Sequence, residues 1–198
     1  MGMVEEKKSA TFDLRTAKSL IAEVKEETEY VVELYSAATE KGFGKTWKAL
    51  GQVGRLKKNL DIAINLAKKA SEAEPNAVLP DGTTCKTLIA EAHFQKGLIA
   101  LGTKGYKEAI SHFETSFKIE PSQEALINIA ICKLAPIDDY IRRLPSFDPL
   151  GLGRRGVRKQ LEKTDAFSIL DQVVSMNPES DTAVEAGKLI AKWKSLSE

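Results

Sequence analysis

Apolar residues along the first forty positions recur at the three-and-four spacing of a single helical face. From Asp13 to Lys41 the repeating positions are Leu20, Ile21, Val24, Val31, Leu34 and Tyr35, which predicts one amphipathic helix. Asp13 suits its N-cap and Gly42 its end, leaving 1–12 as a flexible N-terminus. The next helical stretch covers about 45–73 and stops before Pro75. Its strongest breakers are Gly51 and Gly54, so one long helix and a split helix pair both fit the pattern. Two prolines, Asp81 and Gly82 mark 75–83 as a loop. Helices follow at about 85–101, 106–119 and 123–135, with Gly102, Gly105 and Pro121 between them and Pro136 closing the third. Residues 144–156 hold two prolines and three glycines and read as irregular. Final helices fit 157–176 and 180–196, divided by Asn177–Pro178. No run alternates apolar and polar residues as a half-buried strand does. The expected fold is all-α, with about seven helices.

A search for internal repeats finds one unit at 90–123, where Gly97, Ala109, Phe113, Ser116 and Pro121 keep fixed spacings. Small residues at 97 and 109 would let two antiparallel helices approach, with Phe113 filling the space between them and Pro121 stopping the second. This stretch resembles the tetratricopeptide repeat, a 34-residue helix–turn–helix unit. It departs from that pattern at His93, Lys96 and Ala100, where Trp, Leu and Tyr are usual. An echo at 44–77 carries Trp47, Leu50 and Gly51 in the first-helix signature, followed by Ala63, Ala67, Ala70 and Pro75. Another, at 124–178, has Ala166, Leu170, Val173 and Pro178 in the second-helix spacing and an irregular insertion at 136–156. The resemblance implies a single domain over 13–198, a right-handed superhelical stack of antiparallel helix pairs capped by 180–196.

It also implies a non-catalytic scaffold or adaptor that holds a peptide or partner helix in a concave groove, and the two cysteines, too few for a disulfide framework, favour a cytoplasmic setting. Chaperone-binding members clamp a C-terminal carboxylate with Lys and Asn side chains. Lys48, Gln52 and Gln95 fall on those clamp positions here, but Ala125 and Ile129 replace the third repeat's cations. The candidate groove is therefore Lys48, Gln52, Gln95 and Asn128, which Phe12, Tyr30 or Tyr35 of the first helix could instead plug.

Charge changes the picture only locally. The 198 residues carry 29 Lys+Arg and 28 Asp+Glu, a net charge of +1, yet 41–77 and 142–163 are basic between acidic flanks. Arg142, Arg143, Arg154, Arg155 and Arg158 form a candidate site for an acidic or phosphorylated ligand, the alternative function. Nucleic acid is disfavoured, because the basic stretches hold few aromatics to stack on bases. No apolar run reaches bilayer length, and the first ten residues lack the apolar core of a secretory signal. Self-association stays open.

Several motifs tempt without supporting context. Gly151-Leu152-Gly153-Arg154-Arg155-Gly156 matches the dinucleotide-binding pattern but follows no predicted strand. Gly44-Lys45-Thr46 ends like a phosphate-binding loop whose leading glycine is Thr39 here. His93 and His112 stand nineteen residues apart with no cysteine at ligand spacing, so neither a metal nor a cofactor is expected. Cys85 and Cys132 read as buried thiols. No nucleophile is paired with an ordered base, and no enzymatic activity is expected.

Overall fold

The computed structural model describes residues 2–41, 43–144 and 152–196, with the side chains of 2–8, 37–41, 43–48, Leu152 and Arg154 left aside. The described chain is all-helical, and its helices pack in adjacent pairs. They are α1 (Gly2–Lys41), α2 (Phe43–Ala73), α3 (Cys85–Gly102), α4 (Tyr106–Ile119), α5 (Gln123–Arg142), α6 (Leu152–Leu161), α7 (Ala166–Met176) and α8 (Asp181–Ser195). The only β-type pairing among the described residues is an isolated bridge, Val78 to Thr84, within the α2–α3 loop. The chain divides into two compact units, Met1–Pro121 and Ser122–Glu198, where the sequence had suggested a single domain.

In the first unit α1 and α2 form a long antiparallel pair, tied by Asp13 to Lys69 at 3.4 Å and by Glu23 to Arg55 at 3.6 Å. α3 packs on both of them and runs parallel to α1, with Lys25 bridging to Glu91 at 3.6 Å. α4 folds back on α3. Ala10, Leu14, Ala17 and Val24 of α1 meet Leu56, Leu60, Ala63 and Ala67 of α2 in one buried cluster. Helical spacing on both partners puts these apolar stripes face to face, and their burial drives the pairing.

The second unit repeats this plan with other residues. α5 and α7 are antiparallel, joined by Lys133 to Asp165 at 2.7 Å and by Gln123 Nε2 donating to the Val173 carbonyl at 2.6 Å. α8 packs on both and runs parallel to α5, with Asp138 of α5 3.6 Å from Lys192. α6 lies against α5. Ser122 and Ser180 cap α5 and α8, accepting from the amides of Ala125 and Ala183 at 3.1 and 3.0 Å.

Five expectations about elements are corrected. The first helix starts at Gly2 rather than near Asp13, and residues up to 12 are helical because Ala10 is buried in the core. Asp13 is not a cap but a buried carboxylate beside Lys69. Residues 45–73 form one helix, so 44–77 is not a helix pair, and the hairpin partner of α2 is α1. α5 continues through Pro136, which is exposed. Burial of Leu134 and Ile137 on either side, with Asp138 salt-bridged to Arg142 and Lys192, holds the helix together despite the lost backbone donor. Residues 157–176 are two helices, because the chain turns at 162–165, where Thr164 Oγ1 accepts from the Ala166 amide at 3.2 Å. The proposed stop at Gly42 and most of the irregular stretch at 144–156 lie outside the described residues; Leu152–Gly156 are helical.

The packing positions of the repeat pattern divide sharply. A Cβ added at Gly97 would lie 2.6 Å from Phe113 Cε1, so α3 and α4 touch there as closely as a glycine permits. Ala109 and Phe113 are fully buried, as are Ala166, Leu170 and Val173 of α7. Pro121 and Pro178 follow the ends of α4 and α7. The α2 positions behave differently. Leu50 is exposed, and an added Cβ at Gly51 or Gly54 would meet nothing within 4 Å. They mark no close approach, because no helix break occurs near them. Trp47 lies outside the described side chains.

Glycine in a helix interior costs about 1 kcal/mol relative to alanine, and nothing within the unit offsets that at Gly51 or Gly54. Gly51→Ala and Gly54→Ala should therefore each raise the unfolding free energy by about 0.5–1 kcal/mol in urea denaturation. A loss of stability in either variant would contradict an open α2 surface at these positions.

Candidate functional site

A polar constellation lies where α2, α3 and α4 meet. His93 projects from α3 and His112 from α4, and the antiparallel hairpin brings them level. Their Nδ1 atoms are 3.3 Å apart, and their ring centroids 5.5 Å. The rings lie between two cross-helix ion pairs. Lys96 of α3 donates to Asp61 of α2 at 2.6 Å, and Lys57 of α2 donates to Glu108 of α4 at 2.7 Å. Glu108 Oε1 also stands 3.9 Å from His112 Nε2. Phe94 against Phe113, edge to face at 5.4 Å, packs the two helices together at the very next residue of each.

Burial pushes the His93 pKa down to about 4, helped by His112, Lys96 and Lys68 and opposed by Asp61. His112 is lowered too, again mainly by burial, with Lys96 and Lys57 against Glu108 and Asp61. Both rings are therefore neutral at pH 7 and present nitrogen lone pairs rather than charge. Sequence spacing placed these histidines on packing surfaces but gave no sign that they meet. A nineteen-residue separation brings two side chains together only when the hairpin's turn length and register are known.

Unfolded, His93 binds its proton near pH 6.5, whereas folded it resists until about 4, and His112 is lowered in the same direction. Stability attributable to the pair is complete above about pH 6.5 and falls as pH drops towards 4, by on the order of 2–3 kcal/mol. Denaturant titrations at pH 7 and 4.5, on the native chain and on His93→Gln, isolate this effect. The native chain should lose more stability on acidification than the variant, and equal losses would contradict it.

Of the residues singled out for a groove, Gln52 and Gln95 belong to the first unit and Asn128 to the second. Gln95 is buried at 2% exposure, where its Nε2 donates to Glu91 at 2.9 Å and its Oε1 has no hydrogen-bond partner. Gln52 is half-buried, also with an unpartnered Oε1. Asn128 belongs to the second unit, donating to the Glu124 carbonyl at 2.8 Å. Lys48 lies outside the described side chains. Phe12 and Tyr30 are 68% and 59% exposed, so neither plugs a groove, and Tyr35 is half-buried. Sequence reading passed over Phe94, Leu98 and Leu101, which recur at i, i+4 and i+7 on α3 and stay half-buried.

The arginine-rich segment becomes α6, an amphipathic helix whose apolar side is taken up inside the unit. Val157 and Leu161 are buried, and a Cβ on Gly156 would lie 2.9 Å from the Tyr140 hydroxyl of α5. The last glycine of the tempting dinucleotide motif thus seats α6 on α5, and the described residues hold no strand before it. Gly44-Lys45-Thr46 falls likewise in the first turn of α2. Arg142 and Arg158 pair with Asp138 at 2.8 Å and Glu162 at 3.2 Å, whereas Arg143 and Arg155 are exposed and Arg154 lies outside the described side chains. A cleft of about 280 Å³ is lined by Arg158, Leu161, Glu162 and Phe167, and the Glu162 carboxylate makes it a poor anion seat.

Cys132 is pushed up to about 12 and Cys85 is also raised, both mainly by burial, so both thiols stay protonated. No helix among the described residues is long and apolar enough to cross a membrane. No family model, no curated protein and no solved structure matches the chain.

Proposed function

We propose that the chain is a non-catalytic protein–protein interaction module of the tetratricopeptide kind, which holds a peptide or a partner helix on its first unit. The observation that carries this reading is the helix order in each unit: an antiparallel pair, then a third helix packed on both members and parallel to the first. Stacking of that kind presents the first helices side by side along one surface. Support also comes from the contact at Gly97 and Phe113, which sits where the repeat pattern puts a glycine and an aromatic.

On this reading the recognition surface is the α3 stripe of Phe94, Leu98 and Leu101, with Glu91 and Lys25 beside it. Half-buried apolar residues at helical spacing suit an amphipathic partner helix. The buried Gln95 is a poor contact residue, so the surface differs from the clamp positions.

The test uses the full chain and its Leu98→Glu/Leu101→Glu variant as baits, with captured proteins then titrated individually. The native chain should bind a defined partner that the variant loses at least tenfold, with unchanged helical circular dichroism. Equal binding by both would overturn the surface, and substrate turnover by the purified chain would overturn the non-catalytic reading.

A second reading has one observation in its favour. The cationic side of α6 faces outward with Arg155 and Lys159 exposed, which suits an acidic or phosphorylated ligand. Salt separates the two, since binding on α6 should weaken steeply with ionic strength and apolar binding on α3 should not.

A further inference from the structure

We propose that His93 and His112 form a two-nitrogen chelate for a borderline divalent ion, Zn²⁺ or Cu²⁺, bridging α3 and α4 with water completing its coordination. The bite distance carries the argument. Two imidazole nitrogens, each about 2.0–2.1 Å from a tetrahedral ion, stand roughly 3.3 Å apart. The two Nδ1 atoms are separated by 3.3 Å, a distance at which one ring hydrogen-bonds the other and which also matches the bite of a shared ion.

A carboxylate stands near one of the two rings on its Nε2 side. Chelation through both Nδ1 atoms requires the ring protons on Nε2. Metal-bound histidines commonly turn that N–H towards a carboxylate, and Glu108 Oε1 stands 3.9 Å from His112 Nε2. Metal binding then needs only a proton shift within one ring, with no net release near neutral pH.

The surrounding cations set the affinity. Lys96 is paired with Asp61 and Lys57 with Glu108, and Lys68 adds one positive charge to the neighbourhood. No group of three or more His, Cys, Asp or Glu suited to a metal occurs among the described residues. Two protein ligands in a slightly cationic setting make a weak site, and imidazole donors favour Cu²⁺ over Zn²⁺.

These are the only two histidines in the chain, which makes the test direct. Untagged protein is titrated with Zn²⁺ alone while the imidazole ¹⁵N resonances are followed. Both Nδ1 signals should move together and saturate at one ion per chain, with Cu²⁺ competing more tightly. His93→Gln and His112→Gln should each weaken binding at least tenfold. Movement of one ring alone, movement of the Nε2 signals instead, or no movement would overturn the proposal. So would unchanged affinity in either variant. The spectrum of the native protein decides the matter even if a variant fails to fold.

Discussion

Phe113→Ala lowers the unfolding free energy by about 3–5 kcal/mol, the largest loss expected from any single substitution in α4. The ring is fully buried. It packs edge-on against Phe94 at 5.4 Å and presses on the backbone of α3 at Gly97. Truncation removes the apolar area and leaves a cavity that α3 and α4 cannot readily close, because the His93–His112 contact holds their spacing. Urea denaturation followed by circular dichroism measures it. A loss under about 1 kcal/mol would mean that the ring lies at a surface.

Gly97→Ala comes next, at about 1–3 kcal/mol destabilising, although alanine is the better helix former by roughly 1 kcal/mol. An added methyl would lie 2.6–2.8 Å from three carbons of the Phe113 ring. A ring at the end of an exposed side chain would swing away, but this one is enclosed on all sides and cannot. Overpacking must therefore push the helices apart, and that cost exceeds the propensity gain. Gly51 and Gly54 make the contrast, since the same substitution there meets nothing and should stabilise. Four glycine-to-alanine measurements of opposite sign, including Gly156 against Tyr140, would map which helix surfaces touch.

How far the fold could be read depended on whether the deciding interactions were local. Helix class and most ends followed from apolar spacing and from the glycines and prolines between helices, whereas the caps at Thr84, Ser122 and Ser180 came only with the structure. The α3–α4 pair was legible because its close approach needs small residues at fixed positions. Boundaries set by tertiary burial were not. Pro136 is a helix breaker by its own chemistry, yet Leu134 and Ile137 are anchored on both sides of it. The turn at 162–165 carries no glycine or proline, and the α3–α4 loop puts its left-handed residue at Lys104, φ 61°, rather than at a glycine.

The candidate site was less legible than the fold for the same reason. Gln95 and Asn128 looked like exposed groove residues by position in a repeat, but burial of Gln95 depends on α1 and α2 packing over that face of α3. The histidine pair depends on the register between two helices, which composition and spacing do not encode. Gly156 belonged to a motif with a known ligand, and the structure gives it a packing role against Tyr140.

The central claim is that α3 and α4 close on each other at Gly97 and Phe113. A double-mutant cycle on these positions tests it most directly, with Phe113→Leu as the milder partner so that every member stays folded. The account predicts that the cost of Gly97→Ala falls by at least about 1 kcal/mol once Phe113 is Leu, because the smaller side chain yields to the new methyl. Strict additivity of the two substitutions would show that the helices do not meet there, and would contradict it.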